Sequence, residues 1–134
     1  ADESILDKVP SGLPALMLAQ KLQKQCAKVG FDWHDAFPVI DKVIEEINEV
    51  RDELIQERIN KQAVEEEIGD LLFAVVNLAR HCDVDADTAL RNASHKFSKR
   101  FRLVEQLAAQ QATPLTQMTL DEMEVLWQTA KASK

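Results

Sequence analysis

Glu45, Glu46 and Glu49 crowd one short stretch, "DKVIEEINEV", and Glu67 and Asp70 another, "VEEEIGDLLFAVVNLARHC". On a helix, residues three or four apart are neighbours, so each stretch gathers its acids on one face. Taken alone, the first is ordinarily a solvated acidic face. The second differs. Glu67 and Asp70 line up with Ala74, Asn77 and His81 on a segment that is apolar round most of its circumference, so these polar groups cannot all reach bulk water. Like charges crowded in a partly buried place raise one another's pKa and cost stability. Bound cations remove that conflict. Two antiparallel helices, one presenting Glu46 and Glu49 and the other Glu67 and Asp70, make an all-oxygen site suited to Mg²⁺, with Mn²⁺ as a substitute.

Rival chemistries fit less well. A di-iron carboxylate bundle wants Glu-x-x-His on two helices, and no Glu here has His three residues on. His34, His81 and His95 show no paired zinc spacing. Three glycines are too few for a Walker loop or a dinucleotide turn, so phosphate would be handled by side chains and metal. A net charge of −7 argues against a nucleic-acid duplex as partner, though not against a small phosphate ligand brought in with a cation. Lys96 and Arg100, one turn apart in "SHKFSKRF", are either snorkelling cations or neutralisers of phosphate oxygens that metals do not reach. Lys42, one turn before Glu46, suits the same task. Trp33 is expected in the core, whereas Trp127 either stacks on a base or fills core.

The elements that position these groups read as helices throughout, with no alternating strand pattern. Pro14 and Gly30 bracket a first helix with a stripe of Leu18, Leu22, Cys26 and Val29. Pro38 opens a second, with Ile40, Val43, Ile44, Ile47, Val50 and Leu54 in period. Asn60 caps a third, running to Cys82 and so apolar that it is central or at a subunit boundary. Asp85 or Asp87 caps a fourth, which carries Phe97, Phe101, Val104 and Ala108. Thr119 and Glu122 form a capping box for a last short helix. The expectation is an all-α bundle of four to five helices, forming a homodimer that covers the third helix.

At 134 residues, 46% hydrophobic and 29% charged, the composition is that of one ordinary folded domain. Residues 1–12 read as an N-terminal extension or linker and residues 13–131 as the helical catalytic domain. The longest apolar run, residues 71–76, falls far short of the ~20 residues a bilayer crossing needs. No charged segment leading into an apolar run opens the sequence. Cys26 and Cys82 lie on apolar helical faces without metal spacing. Reduced thiols and a cytoplasmic, non-membrane protein are the expectation.

The pattern Glu-Glu-x-x-Glu at residues 45–49, followed by Glu-x-x-Asp at 67–70, resembles the signature of the all-α nucleoside triphosphate pyrophosphohydrolases. Within them the stretches "LPALMLAQKLQKQCAKVGFDW", "EEEIGDLLFAVVNLAR" and "KFSKRF" are similar to the MazG family, specifically the C-terminal, catalytic copy of its two-domain bacterial members. The resemblance runs from Leu13 to Trp127 and departs from the family pattern at Ser94 and Ala63. It implies Mg²⁺-dependent hydrolysis of nucleoside triphosphates to monophosphate and pyrophosphate. Glu46, Glu49, Glu67 and Asp70 would be the metal ligands, and Lys42, Glu45, Lys96, Arg100 and Trp127 the nucleotide contacts. Glu46 and Glu45 would serve catalysis, Glu45 as a candidate base. The competing expectations are a non-catalytic helical interaction module and a nucleotide-sensing domain without turnover.

Overall fold

A computed structural model of the chain describes residues 3–133. Five α-helices follow one another, α1 (Ala15–Lys28), α2 (Ala36–Leu54), α3 (Lys61–His81), α4 (Ala86–Gln110) and α5 (Leu120–Ala132), with no strand among the described residues. The all-α expectation holds. A short 3-10 turn over Ile5–Lys8, closed by a Ser4–Asp7 capping box, precedes α1. None of these helices is long and apolar enough to cross a membrane.

Local chemistry sets the helix ends. Pro14 is the N-cap of α1, where its missing N–H costs nothing. Just past the other end Gly30 takes φ +89°, a left-handed backbone conformation that other residues rarely adopt. Asn60 Oδ1 accepts from the backbone N–H of Gln62 and Ala63 at the start of α3. Thr119 and Glu122 cap α5 reciprocally at 3.0 and 3.1 Å. At α2 the sequence expectation was two residues late. Asp35 is the cap, accepting from Phe37 N–H at 2.9 Å, and Pro38 sits inside the first turn, where no backbone donor is needed.

The described residues divide into two compact units, one ending at Asp87 and the other beginning at Thr88. In the first, α2 packs along α3, α1 lies on α3, and the 3-10 turn rests on α1. Val39, Ala74 and Val76 are its buried apolar side chains. Val29, expected in the stripe of α1, is 65% exposed, because the chain is already leaving the helix there. Much of the apolar period of α2 and α3 also faces outward, with Ile44 51% and Leu72 54% exposed. In the second unit Val104 and Ala108 of α4 close a core with Met118, Leu126 and Ala130. Phe97 and Phe101, expected on the buried stripe of α4, are exposed and stack on each other with centroids 6.2 Å apart.

Candidate active site

The packing of α2 along α3 brings acids from both helices together. Glu46 on α2 and Glu67 and Asp70 on α3 each offer one carboxylate oxygen, and these oxygens all lie within 4.8 Å of one another. Glu46 is buried, Glu67 half-buried and Asp70 exposed. Glu49, one turn on from Glu46, falls outside that trio of oxygens. Its charge still acts there: the Glu67 pKa is raised, first by loss of solvent and then by Glu49, Asp70, Glu46 and Glu53. Glu53 was not singled out from the sequence, although it continues the Glu46–Glu49 face by one more turn.

A counter-charge lies beside the acids. Lys42 Nζ lies 3.1 Å from Glu46 Oε1 and 3.5 Å from Glu45 Oε1. Its pKa is raised, chiefly by the Glu46 hydrogen bond. One ammonium does not balance this many carboxylates, and the raised Glu67 pKa reflects loss of solvent first and their repulsion second. The donor set is all oxygen and carries excess negative charge, so it fits a hard divalent cation.

Lys42, Glu46 and Asp70 also border a cavity of about 680 Å³, a volume typical of small-molecule sites. Leu22, Cys26, Phe73 and Ala74 make its apolar wall, and Phe31 and Trp33 reach it from the α1–α2 loop. Trp33 is therefore not core, as the sequence suggested: it is 43% exposed. A loop aromatic has no periodicity to reveal where its ring goes.

Beyond the apolar wall, Arg80 holds the loop against α3. Its Nη1 donates to Asp32 Oδ2 at 3.0 Å and its Nη2 to Asp32 Oδ1 at 2.7 Å. The same guanidinium donates to Asn77 Oδ1 through Nη2 at 2.6 Å and Nε at 3.2 Å. His81 Nε2 lies 2.8 Å from Asp32 Oδ1. The Arg80 hydrogen bonds hold the Asp32 carboxyl at about 2, with His81 assisting against the opposing effect of burial. Sequence reasoning missed this cluster. Its partners lie 48 residues apart, and a basic residue in a last helical turn reads as ordinary dipole compensation.

The remaining expected contacts belong to the second unit. Lys96 is exposed and Arg100 half-buried, one turn apart on α4. Trp127 is half-buried against the Val104–Leu126 core, with its ring 5.3 Å from that of Phe97.

The profile of the MazG nucleotide pyrophosphohydrolase domain matches residues 36–104, from the first residue of α2 into α4. That stretch contains all four expected metal ligands with Lys42, Glu45, Lys96 and Arg100, and ends before Trp127. Over 131 residues the chain is 52% identical to the nucleoside triphosphate pyrophosphohydrolase of Escherichia coli (strain K12), covering 98% of this chain and 50% of that protein. It is 38% identical over 119 residues to the nucleoside triphosphate pyrophosphohydrolase/pyrophosphatase MazG of Thermotoga maritima, covering 89% and 45%. The chain thus spans about half the length of these relatives. With the profile matched over more than half of its residues, across both helices that carry the acids, the chain belongs to the MazG nucleotide pyrophosphohydrolase domain family.

Proposed function

We propose that this chain hydrolyses nucleoside triphosphates to nucleoside monophosphate and pyrophosphate, with Mg²⁺ held by Glu46, Glu49, Glu67 and Asp70. The observation that carries the reading is the convergence of three carboxylate oxygens within 4.8 Å beside a cavity bordered by two of the same acids. The names of the relatives, nucleoside triphosphate pyrophosphohydrolases, support the reaction type. When bound, the cation supplies positive charge for the triphosphate and acidifies a water at neutral pH.

The chain's own groups do the rest. Glu45, exposed and bridged to Lys42 at 3.5 Å, takes the proton as water attacks the α-phosphorus. The new P–O bond forms while the bond to the bridging oxygen breaks, and pyrophosphate departs with the electron pair. Lys42 lies where its ammonium can turn from Glu46 to a phosphate oxygen. Lys96 and Arg100 enter on charge and spacing, as cations for the departing pyrophosphate. Trp127 is assigned to the nucleotide through the resemblance, although its ring also serves the local core.

A homodimer belongs to the same proposal. Exposed Ile44 and Leu72, with Ile40, Ile47, Ile68 and Val75, form an apolar surface that a second copy would cover. Sedimentation at micromolar concentration should show a dimer and Leu72→Asp a monomer; a monomeric parent protein contradicts it. Free thiols at Cys26 and Cys82 fit a reducing, cytoplasmic setting.

The direct test is pyrophosphate release from mixed nucleoside triphosphates, with Mg²⁺ and with EDTA. Release with Mg²⁺ alone is expected. An interaction module releases none in either tube, and a nucleotide sensor binds the triphosphate with Mg²⁺ but releases none.

A further inference from the structure

Two amides stand in the cavity wall away from the acids, and neighbours lock both of them. Gln23 of α1 is only 7% exposed, and its Nε2 donates to the backbone oxygen of Phe73 on α3 at 3.0 Å. A carbonyl oxygen only accepts, so the nitrogen must face Phe73 and the amide cannot be turned round. The other end of that amide, Oε1, is buried and has no hydrogen-bond partner among the described residues. Buried polar atoms in folded proteins nearly always have one. Asn77, also 7% exposed, is fixed in the opposite sense. Its Oδ1 receives two hydrogen bonds from Arg80, which can only donate, so Nδ2 is its remaining group.

Both residues line the cavity that Glu46 and Asp70 border. Along α3 the order is Asp70, then Phe73 with the Gln23 amide upon its carbonyl, then Asn77. From Asp70 to Asn77 the helix rises about 10 Å, which leaves room for a sugar between a phosphate at the acids and a base at the amides. Phe31 and Trp33 add ring faces to the same cavity.

We infer that Gln23 Oε1 accepts a hydrogen bond from the N–H donor on the Watson–Crick edge of the substrate base, while Asn77 Nδ2 donates to the acceptor beside that N–H. Gln23 is thus a specificity-determining residue of the site. Adenine and cytosine carry the donor as the exocyclic amine and the acceptor as the ring nitrogen. Guanine and uracil carry a ring N–H donor beside a carbonyl acceptor, in the reverse order, and meet the same fixed amide pair only with the opposite face of the ring. The pair rejects a base whose donor is missing, because Gln23 Oε1 then stays unpaired. This inference rests on the nucleotide hydrolysis proposed above.

The test compares kcat/KM for ATP and purine riboside triphosphate, which differ only by the exocyclic amine. UTP and N3-methyl-UTP make a second pair. Wild-type protein should favour the donor-bearing member of each pair by about tenfold or more. In Gln23→Met the ratio should collapse towards one, mainly through loss of ATP activity. Equal use of both members by the wild-type protein overturns the inference without need of any variant. A Gln23→Met protein that slows on both nucleotides and keeps their ratio also overturns it, since that is the result for an α1–α3 clasp alone. Absence of pyrophosphate release from every nucleotide removes the proposed reaction and this inference together, whereas turnover without discrimination removes only the inference.

Discussion

Asp32 and Glu67 serve two neighbourhoods of the same unit, one around Arg80 and one around Asp70, some ten residues or about 15 Å apart along α3. Both are carboxylates near the cavity, and their pKa values move in opposite directions. Arg80 and His81 surround Asp32 with donors and hold it at about 2. Glu67 loses solvent and meets four other carboxylates, and its pKa rises. The lesson is one of completeness. The Asp32 cluster is satisfied by the protein itself; in the Glu67 cluster the carboxylates outnumber Lys42, the arrangement that a candidate cation site presents.

The largest test of that contrast is catalytic. Asp70→Asn should cut pyrophosphate release by about a hundredfold or more while circular dichroism shows the helices intact. Activity near the parent level would place the reaction elsewhere. Next comes thermal stability with and without Mg²⁺. A ligand that binds only the folded state raises the midpoint, so Mg²⁺ should stabilise the parent protein and EDTA should undo the gain. For Glu67 the sign is fixed by the raised pKa. Its ionised form is disfavoured in the fold, so metal-free stability falls as pH climbs from 4.5, its ordinary value, through the raised one. Glu67→Gln should therefore raise the metal-free midpoint at pH 7 and abolish the Mg²⁺ gain. A variant less stable without metal would mean that the acids are not in conflict.

The smallest expected effect lies at the other neighbourhood. The Asp32 pKa is lowered from 3.8 to about 2, so its contribution is whole above about pH 4 and disappears as pH falls towards 2. Its side chain is 21% exposed, and with solvent screening the contribution is about 1 kcal/mol. Asp32→Asn should lose that amount at pH 7 in denaturant titrations and show no further loss between pH 4 and 2 from this source. Insensitivity to Mg²⁺ in this variant's stability deficit would confirm that the two clusters are independent.

What could be read from the sequence follows interaction range. The caps at Asn60 and Thr119–Glu122 involve residues two or three apart, and the acids of α3 announce themselves because a helix turns spacing into a shared face. Pro38 misled by two positions because proline is tolerated anywhere in a first turn. Gln23 gave no sign: a glutamine beside Leu22 on an amphipathic helix looks like surface, and its partner carbonyl is 50 residues away. Asp32 and Arg80 are hidden for the same reason. Outward-facing Ile44 and Leu72 illustrate the limit of periodicity, which identifies an apolar face but not whether the same chain covers it.

The Lys42 ammonium lies 3.1 Å from Glu46, one of the three clustered acids. If the proposed divalent ion binds Glu46, it meets a carboxylate whose Oε1 already carries an ammonium, and it either takes the other oxygen or displaces the lysine. In the second case the proposed triphosphate would find a cation released among the residues that line the cavity.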